Sequence, residues 1–565
     1  MKRLYYGDNL QVLRENIPNE SIDLIYLDPP FNSQVDYNII FKNASGEKSE
    51  AQITAFEDTW IWGIESERFL DEIKDKKGEL YQFLDLLVRT LGKNSLSAYL
   101  VMMTIRLIEL HRVLKSTGSL YLHCDPTASH YLKMILDLIF GADKFRNEII
   151  WKRQTAHNDA RYKFADVADI ILFYVKSKNA IFQPQYGESD PEYIAKFYRH
   201  DDHDGRGLYQ LDNMASPNPR PRMMYEWMGF PYPVKGWRYQ QDTMEKLHNE
   251  GRIYYPTKAD GSFDFSKRPR LKRYLNEQKG GVVTNIWTDI LPISAHAKER
   301  LGYPTQKPLS LLERIIQASS NENNIILDPF CGCGTAIHAA ENLGRNWIGI
   351  DITHLAIALI EKRLKDAFPN KFIEDENKNQ KLIPGIEFEV EGTPKDLAAA
   401  IDLFNRDAYQ FQWWVCSLVN AQPYKDKKKG ADGGVDGLIF FEDVIDIKKS
   451  HKTAVKKIIV SVKGGKNLNP AMIRDLRGTM ETNKAEIGLF VTLTSPTQPM
   501  IKEAASSGFY KAGNGRNYAK IQILTIEELL TQQKRPEFFD MKQGELTFKK
   551  AQRENQDTGE QGKLF

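Results

Sequence analysis

A chain of 565 residues exceeds what one hydrophobic core organises, so two or three domains are expected. Hydrophobic residues at 41% and charged residues at 27% exclude a fibrous or disordered chain, and no apolar run approaches the ~20 residues of a membrane helix. The net charge of +2 neither demands nor excludes a polyanionic partner, and four scattered cysteines (Cys124, Cys331, Cys333 and Cys416) exclude a disulfide framework or a four-cysteine zinc site.

In chain order, Met1-Lys2-Arg3 leads into a strand-like "LYYGD" that closes on Asp8 rather than into a signal peptide, and a cytoplasmic protein without a membrane partner is expected. The next run, "SIDLIYLDPPFN", reads as a buried strand ending in Asp28, Pro29, Pro30 and Phe31. A strand-end acid alone is commonly a turn residue. Near the middle, "NNIILDPFCGCGTAIHAAENLGRNWIGIDI" reads as a strand (Ile325 to Leu327), a glycine-punctuated loop, a helix (Ala336 to Leu343) and a second strand (Trp347 to Ile350) closed by Asp351. Gly332 and Gly334 allow close backbone approach to a ligand, and Asp351 is placed to accept hydrogen bonds from a ribose diol. With neither a third glycine at the dinucleotide position nor a Lys-Ser/Thr pair, the pattern predicts a nucleoside cofactor without phosphates.

These stretches carry a resemblance. "DPFCGCGT" is similar to the S-adenosylmethionine motif of amino-group DNA methyltransferases, and "DPPF" to their catalytic motif, in the order of the permuted β class. "LYYGDNL", "FEDTWIWG", "GSLYLHCDP", "FRNEIIWKR" and "YPTQKP" resemble further family motifs across residues 1 to 365. The resemblance implies catalytic roles for Asp28, Pro29, Pro30 and Phe31, and cofactor contacts by Asp8, Lys307, Asp328, Pro329, Phe330, Cys331, Gly332, Gly334, Thr335 and Asp351. An exocyclic amine is a poor nucleophile because its lone pair is delocalised into the ring. The Asp28 carboxylate and Pro29 carbonyl would accept its N–H groups and keep electron density on nitrogen, and Phe31 would stack on a base flipped from duplex DNA. An aspartate in first place favours adenine N6, with cytosine N4 as the alternative.

The stretch from about Lys176 to His296 is rich in aromatics, prolines and basic residues (Arg220, Arg222, Arg238, Lys267, Arg268, Arg270, Lys272 and Arg273) and is read as the target-recognition insertion. After a polar linker, "RDAYQFQWWVCSLV", "GADGGVDGLIFF" and "KKIIVSVKGG" resemble the Mrr-like branch of the restriction-endonuclease fold, which implies Asp436 as a Mg²⁺ ligand and Lys463 as the residue that orients water. Ser461 stands where that pattern has glutamate or glutamine, leaving two readings: a nuclease with a displaced ligand, or a domain kept for binding DNA. The terminal "QGKLF", Gln561 to Phe565, resembles the Gln-x-x-Leu-Phe peptide that docks on the bacterial sliding clamp.

The expected fold class is therefore α/β: a Rossmann-like methyltransferase of permuted motif order with an inserted recognition region, followed by a restriction-endonuclease-like domain. Expected boundaries are 1–175 and 297–370 for the methyltransferase, 176–296 for the insertion, 371–391 for the linker, 392–535 for the second domain and 536–565 for a flexible tail. The expected function is site-specific methylation of adenine N6 in double-stranded DNA within a restriction-modification system. Alternatives are a bifunctional enzyme that also cleaves, and a modification subunit served by a separate restriction subunit; a homodimer is a further expected partner.

Overall fold

The structure, a computed structural model, describes residues 2–30, 37–42, 48–56, 61–154, 164–294, 297, 299–301, 306–368, 372–374, 380–382, 388–424, 434–444, 453–542 and 546–547. Contacts divide the chain into two compact units, residues 184–284 and the remainder.

The larger unit is built on a nine-stranded sheet. In chain order its strands are β1 (Lys2–Tyr6), β2 (Ile22–Leu27), β3 (Leu114–Cys124), β4 (Phe145–Lys152), β5 (Ala168–Val175), β6 (Ile286–Trp287), β7 (Ile325–Asp328), β8 (Asn346–Asp351) and β9 (Glu389–Glu391). They lie in the spatial order β6-β4-β5-β3-β2-β7-β8-β1-β9, and only β5 runs antiparallel to its neighbours. Every residue of β2 is buried, as expected of a central strand covered on both faces. Helices α1 (Asn9–Asn16), α2 (Ser95–Val113), α3 (Thr335–Asn342) and α4 (His354–Ala367) are among those that cover the sheet. The apolar α2 supplies Tyr99, Met103, Ile105, Leu107 and Leu110 to the core.

Two details depart from the sequence reading. The helix after the glycine loop begins at Thr335 and ends at Asn342, one residue earlier at each end than expected. Within the expected linker, Glu389–Glu391 is a strand on the sheet edge beside β1, where Arg3 Nε meets Glu389 at 3.2 Å and Glu391 at 3.8 Å. Its charged residues suit an exposed edge and hide the strand from a hydrophobicity reading.

The same unit contains a five-stranded sheet of β10 (Gln422–Pro423), β11 (Gly437–Val444), β12 (Thr453–Lys463), β13 (Ile487–Thr492) and β14 (Ile521–Thr525), in that spatial order. The β11–β12 pair is an antiparallel ladder, while β12, β13 and β14 run parallel. The expected aromatic helix forms as α5 (Ala408–Leu418), capped by Asp407, with Phe411 and Trp414 in the core against this sheet.

The unit of residues 184–284 is narrower than the insertion expected from composition. It holds a three-stranded sheet of Tyr209–Asn213, Ile253–Tyr254 and Arg270–Tyr274, with Met214, Trp227, Trp237, Met244, Ile253 and Leu271 in its core. Its basic residues divide into two groups. Arg238 and Arg273 pair with Asp212, Lys272 with Asp202 and Lys267 with Asp264, whereas Arg220, Arg222, Arg268 and Arg270 are exposed. Among the described residues no helix is long and apolar enough to cross a membrane.

Candidate active site

The register of β2 against β7 brings the two acidic motifs together. Leu24 pairs with Ile326 and Ile25 with Leu327, so Asp28-Pro29-Pro30 and Asp328-Pro329-Phe330, 300 residues apart in sequence, leave parallel strands side by side. Carboxyl ends of such strands are where open α/β sheets bind ligands. A cavity of about 700 Å³ opens there, lined by Asp8, Asp28, Pro29, Pro30, Lys307, Asp328, Pro329, Phe330, Cys331, Gly332, Thr335 and Asp351 from the expected set. Phe31 lies outside the described residues, as do Tyr303 to Thr305 of the "YPTQKP" segment and positions 57–60 of "FEDTWIWG".

The loop between β7 and α3 owes its shape to its glycines. Gly332 (φ +48°) and Gly334 (φ +76°) occupy the left-handed region, and a Cβ on Gly334 would stand 2.6 Å from Ile360 Cγ1. Gly334 is absent from the cavity lining and acts by shaping the turn into α3. The Gly332 amide donates to Asp351 Oδ2 at 2.9 Å, tying the loop to the end of β8. Behind it, the buried Arg363 donates to the Cys333 carbonyl and the Thr335 hydroxyl, each at 3.1 Å, and to His338 Nδ1 at 2.9 Å. Cys331 and Cys333 are buried free thiols of this loop, and burial pushes both upward from the ordinary thiol range.

The cavity is acidic, and its acids are held differently. Burial, with Asp28 and Asp351 nearby, raises Asp328 well above the carboxylate range despite the Phe330 amide it accepts. Burial likewise raises Asp351 to about 6, against hydrogen bonds from Thr353 and Gly332. Asp28 is met by the Lys307 ammonium, whose Nζ lies 2.5 Å from Oδ2. The resemblance groups Lys307 with the cofactor; the structure also places it against Asp28. Asp8 Oδ1 caps α1 through the Leu10 and Gln11 amides, while Oδ2 accepts from Arg106 at 2.7 Å. Arg106 donates in turn to Asn9, and Asn9 to the Pro329 carbonyl at 2.8 Å, so one buried cation braces both sides of the cavity. Arg106 and Asn9 were not anticipated, although an arginine inside the apolar "SAYLVMMTIRLIEL" was a signal.

The cavity suits a cofactor such as S-adenosylmethionine: it combines carboxylates able to face its cationic groups and diol with the backbone of the Gly332 loop on its wall.

The second candidate site is sparser. Asp436 immediately precedes β11 rather than ending a strand, and its Oδ2 accepts from the Val462 amide at 2.7 Å. Ser461 and Lys463 follow on β12, two residues apart and so on one face. Ser461 is buried. Among the described residues no group of three or more His, Cys, Asp or Glu side chains could hold a metal ion, and a serine hydroxyl is a weaker Mg²⁺ ligand than a carboxylate. Positions 425–433, including all of "GADG", lie outside the described residues, as does the Gln561 to Phe565 peptide.

Comparison with known proteins follows this division. Residues 404–530 match the restriction endonuclease profile of the Mrr catalytic type. The type II methyltransferase M.EcaI of Enterobacter cloacae is 34% identical over 271 residues, covering 47% of this chain and 57% of that protein. The StyLTI Mod subunit of a type III restriction-modification enzyme from Salmonella typhimurium is 26% identical, covering 59% of this chain and 48% of its own. The EcoP15I Mod subunit of Escherichia coli is 26% identical, covering 60% and 56%. The chain thus spans about half the length of the curated relatives it matches. With residues 22–362 matching its profile, the chain belongs to the N6/N4 DNA methylase family.

Proposed function

We propose that this protein transfers a methyl group from S-adenosylmethionine to the N6 amine of adenine at specific sites in double-stranded DNA, as the modification activity of a restriction-modification system. One observation carries the reading: the Asp28-Pro29-Pro30 and Asp328 to Asp351 elements line one cavity at the carboxyl ends of adjacent strands. The bound cofactor supplies an electrophilic methyl group. Asp351 accepts from its ribose diol, the Gly332–Gly334 loop gives backbone close approach, and Asp328 and Asp8 flank the remainder. Asp28 and the Pro29 carbonyl accept the N–H groups of the flipped base, with Pro30 stiffening that carbonyl and Phe31 giving the base a stacking face. Lys307 holds the Asp28 carboxylate in place. Long-read sequencing of plasmid from a methylation-free host expressing the protein tests this: modified adenine in a fixed motif, absent with Asp28→Ala, supports it. Modified cytosine instead would assign N4 chemistry to the same acceptors.

The match over residues 404–530 favours a second reading in which the C-terminal domain also cleaves DNA. Among the described residues no group of three or more metal-ligating side chains stands there. Mg²⁺-dependent cleavage lost in Asp436→Ala and Lys463→Ala would establish it, and DNA binding without cleavage would leave the domain a DNA-holding module. A restriction subunit is proposed as a partner because two relatives are Mod subunits. A homodimer and docking of Gln561 to Phe565 on the sliding clamp are proposed from the sequence resemblance alone.

A further inference from the structure

Behind Asp28 lies a chain of three titratable side chains that the mechanism above does not use. The Tyr26 hydroxyl is 2.9 Å from His123 Nδ1, and His123 Nε2 is 3.0 Å from Asp169 Oδ2. The three sit on β2, β3 and β5, which are neighbours in the sheet, and are 2%, 0% and 2% exposed. Since a carboxylate only accepts, the neutral imidazole carries its proton on Nε2, leaving Nδ1 to accept from Tyr26. Tyr26, next to last in β2, lines the same cavity as Asp28, which follows the strand two residues later.

We propose that Tyr26, His123 and Asp169 form a proton outlet for the methylated amine. The inference rests on the methyl-transfer reading. When the N–C bond forms and the S–C bond breaks with its electron pair left on sulfur, the amine nitrogen becomes cationic and must lose a proton. Lys307 occupies Asp28 Oδ2, which makes that carboxylate a poor destination. Tyr26 Oη takes the proton as its own passes to His123 Nδ1, and the resulting imidazolium faces the Asp169 carboxylate. Product release returns the proton to solvent. Tyr26 touches the reacting amine; His123 and Asp169 are positioning residues that act through it.

The charged and titratable surroundings fit this direction of transfer. Burial pushes Asp169 up, and the hydrogen bond from His123 with the Lys307 and Arg153 cations pulls it down; once His123 is an imidazolium its charge pulls further, and the acid ends below its usual range. Arg153 Nε stands 3.2 Å from Asp169 Oδ1. The Asp28 and Asp328 carboxylates bear on Tyr26, and burial pushes up the thiol of Cys124, the neighbour of His123 along β3. Trp151 packs edge-on against the imidazole. A purely structural bracket would need none of the three groups to titrate.

The test uses full-length enzyme, plasmid DNA carrying the modified motif, and single-turnover methyl transfer measured against pH. Tyr26→Phe keeps the ring and removes only the hydroxyl, and His123→Gln interrupts the chain one step later. The outlet predicts a roughly 10- to 100-fold slower step in each, with cofactor affinity within twofold of wild type. It also predicts that the wild-type rate falls on acidification as Nδ1 becomes protonated, a limb missing from Tyr26→Phe. A second readout needs no variant: ¹⁵N-histidine spectra of the wild-type protein should show His123 Nδ1 unprotonated and Nε2 protonated at neutral pH. Rates and pH profiles matching wild type in both variants, or Nδ1 protonated in the neutral ring, overturn the outlet while leaving the methyl-transfer reading standing. No methyl transfer by the wild-type enzyme overturns both.

Discussion

Lys307 Nζ lies 2.5 Å from Asp28 Oδ2, so the acid at the end of β2 meets its cation from a segment 279 residues further along the chain. Side-chain exposures of 11% for Lys307 and 16% for Asp28 make this a largely desolvated pair. It leaves Oδ1 as the free acceptor edge for a target amine and fixes the plane of the carboxylate. Removing the acceptor while keeping the fold, as in Asp28→Ala, should slow methyl transfer by about 10²–10³-fold or more. Lys307→Met should slow it by about tenfold or more without abolishing cofactor binding. Single-turnover rates beside calorimetric cofactor affinities check both, and a Lys307→Met enzyme with wild-type kcat would show the pair to be incidental.

Asp351 sets the pH response of cofactor binding. Its carboxyl titrates at about 6 in the cofactor-free protein, so below that pH it carries a proton and loses an acceptor for the ribose diol. Affinity should be flat above pH 7 and weaken by roughly tenfold per unit below about 5.5, and Asp351→Asn should be weaker throughout with a flattened profile. Since this folded-state value lies above the reference value of 3.8, the same group makes the cofactor-free fold more stable as pH falls from about 6 toward 4. Calorimetry between pH 5 and 8 measures the first effect and melting over the same range the second.

Gly334 has no spare volume. An alanine there adopts a left-handed conformation at a cost of about 1 kcal/mol and drives its Cβ toward Ile360. Gly334→Ala should lower the melting temperature by several degrees and cofactor affinity at least tenfold, whereas alanine at Gly465, with nothing within 4 Å of its Cβ, should leave both unchanged.

Arg106 is a buried cation held by Asp8, Asn9 and the Met102 carbonyl. Arg106→Met leaves those acceptors unsatisfied and should cost about 2–3 kcal/mol, less than a fully buried pair because Asp8 is partly exposed. The urea midpoint reads the loss, and an unchanged midpoint would contradict the bracing role.

All four cysteines are buried, and burial raises each thiol. A thiol reagent should find no fast-reacting group in the native protein and four after denaturation. Rapid native labelling of Cys331 or Cys333 would mean that the glycine loop opens.

What could be read from the sequence was what local spacing encodes. Asp28, Asp328 and Asp351 each end an apolar run, so their place at the carboxyl ends of strands followed from hydrophobicity, helped at Asp28 and Asp328 by the proline that follows. Lys307 could be assigned to the cavity by motif but not to Asp28, because several carboxylates share that space. The Tyr26–His123–Asp169 chain depends on which strands neighbour one another and in what register, which periodicity along one strand does not contain. Arg106 announced itself as a charge after a long apolar run of its helix without naming its partners. The Glu389–Glu391 strand was hidden by its own charges. At Asp436 the resemblance pointed to a hairpin that the structure builds, with a serine at 461 where the pattern has glutamate or glutamine.

The most direct test of methyl transfer at Asp28 is mass spectrometry of nucleosides from plasmid DNA incubated with the purified protein and S-adenosylmethionine carrying a deuterated methyl group. The account predicts N6-methyldeoxyadenosine bearing the heavy methyl, present with the wild-type protein and absent with Asp28→Ala. Heavy-methyl product made equally by Asp28→Ala, or no labelled nucleoside from a folded protein that binds the cofactor, would contradict it.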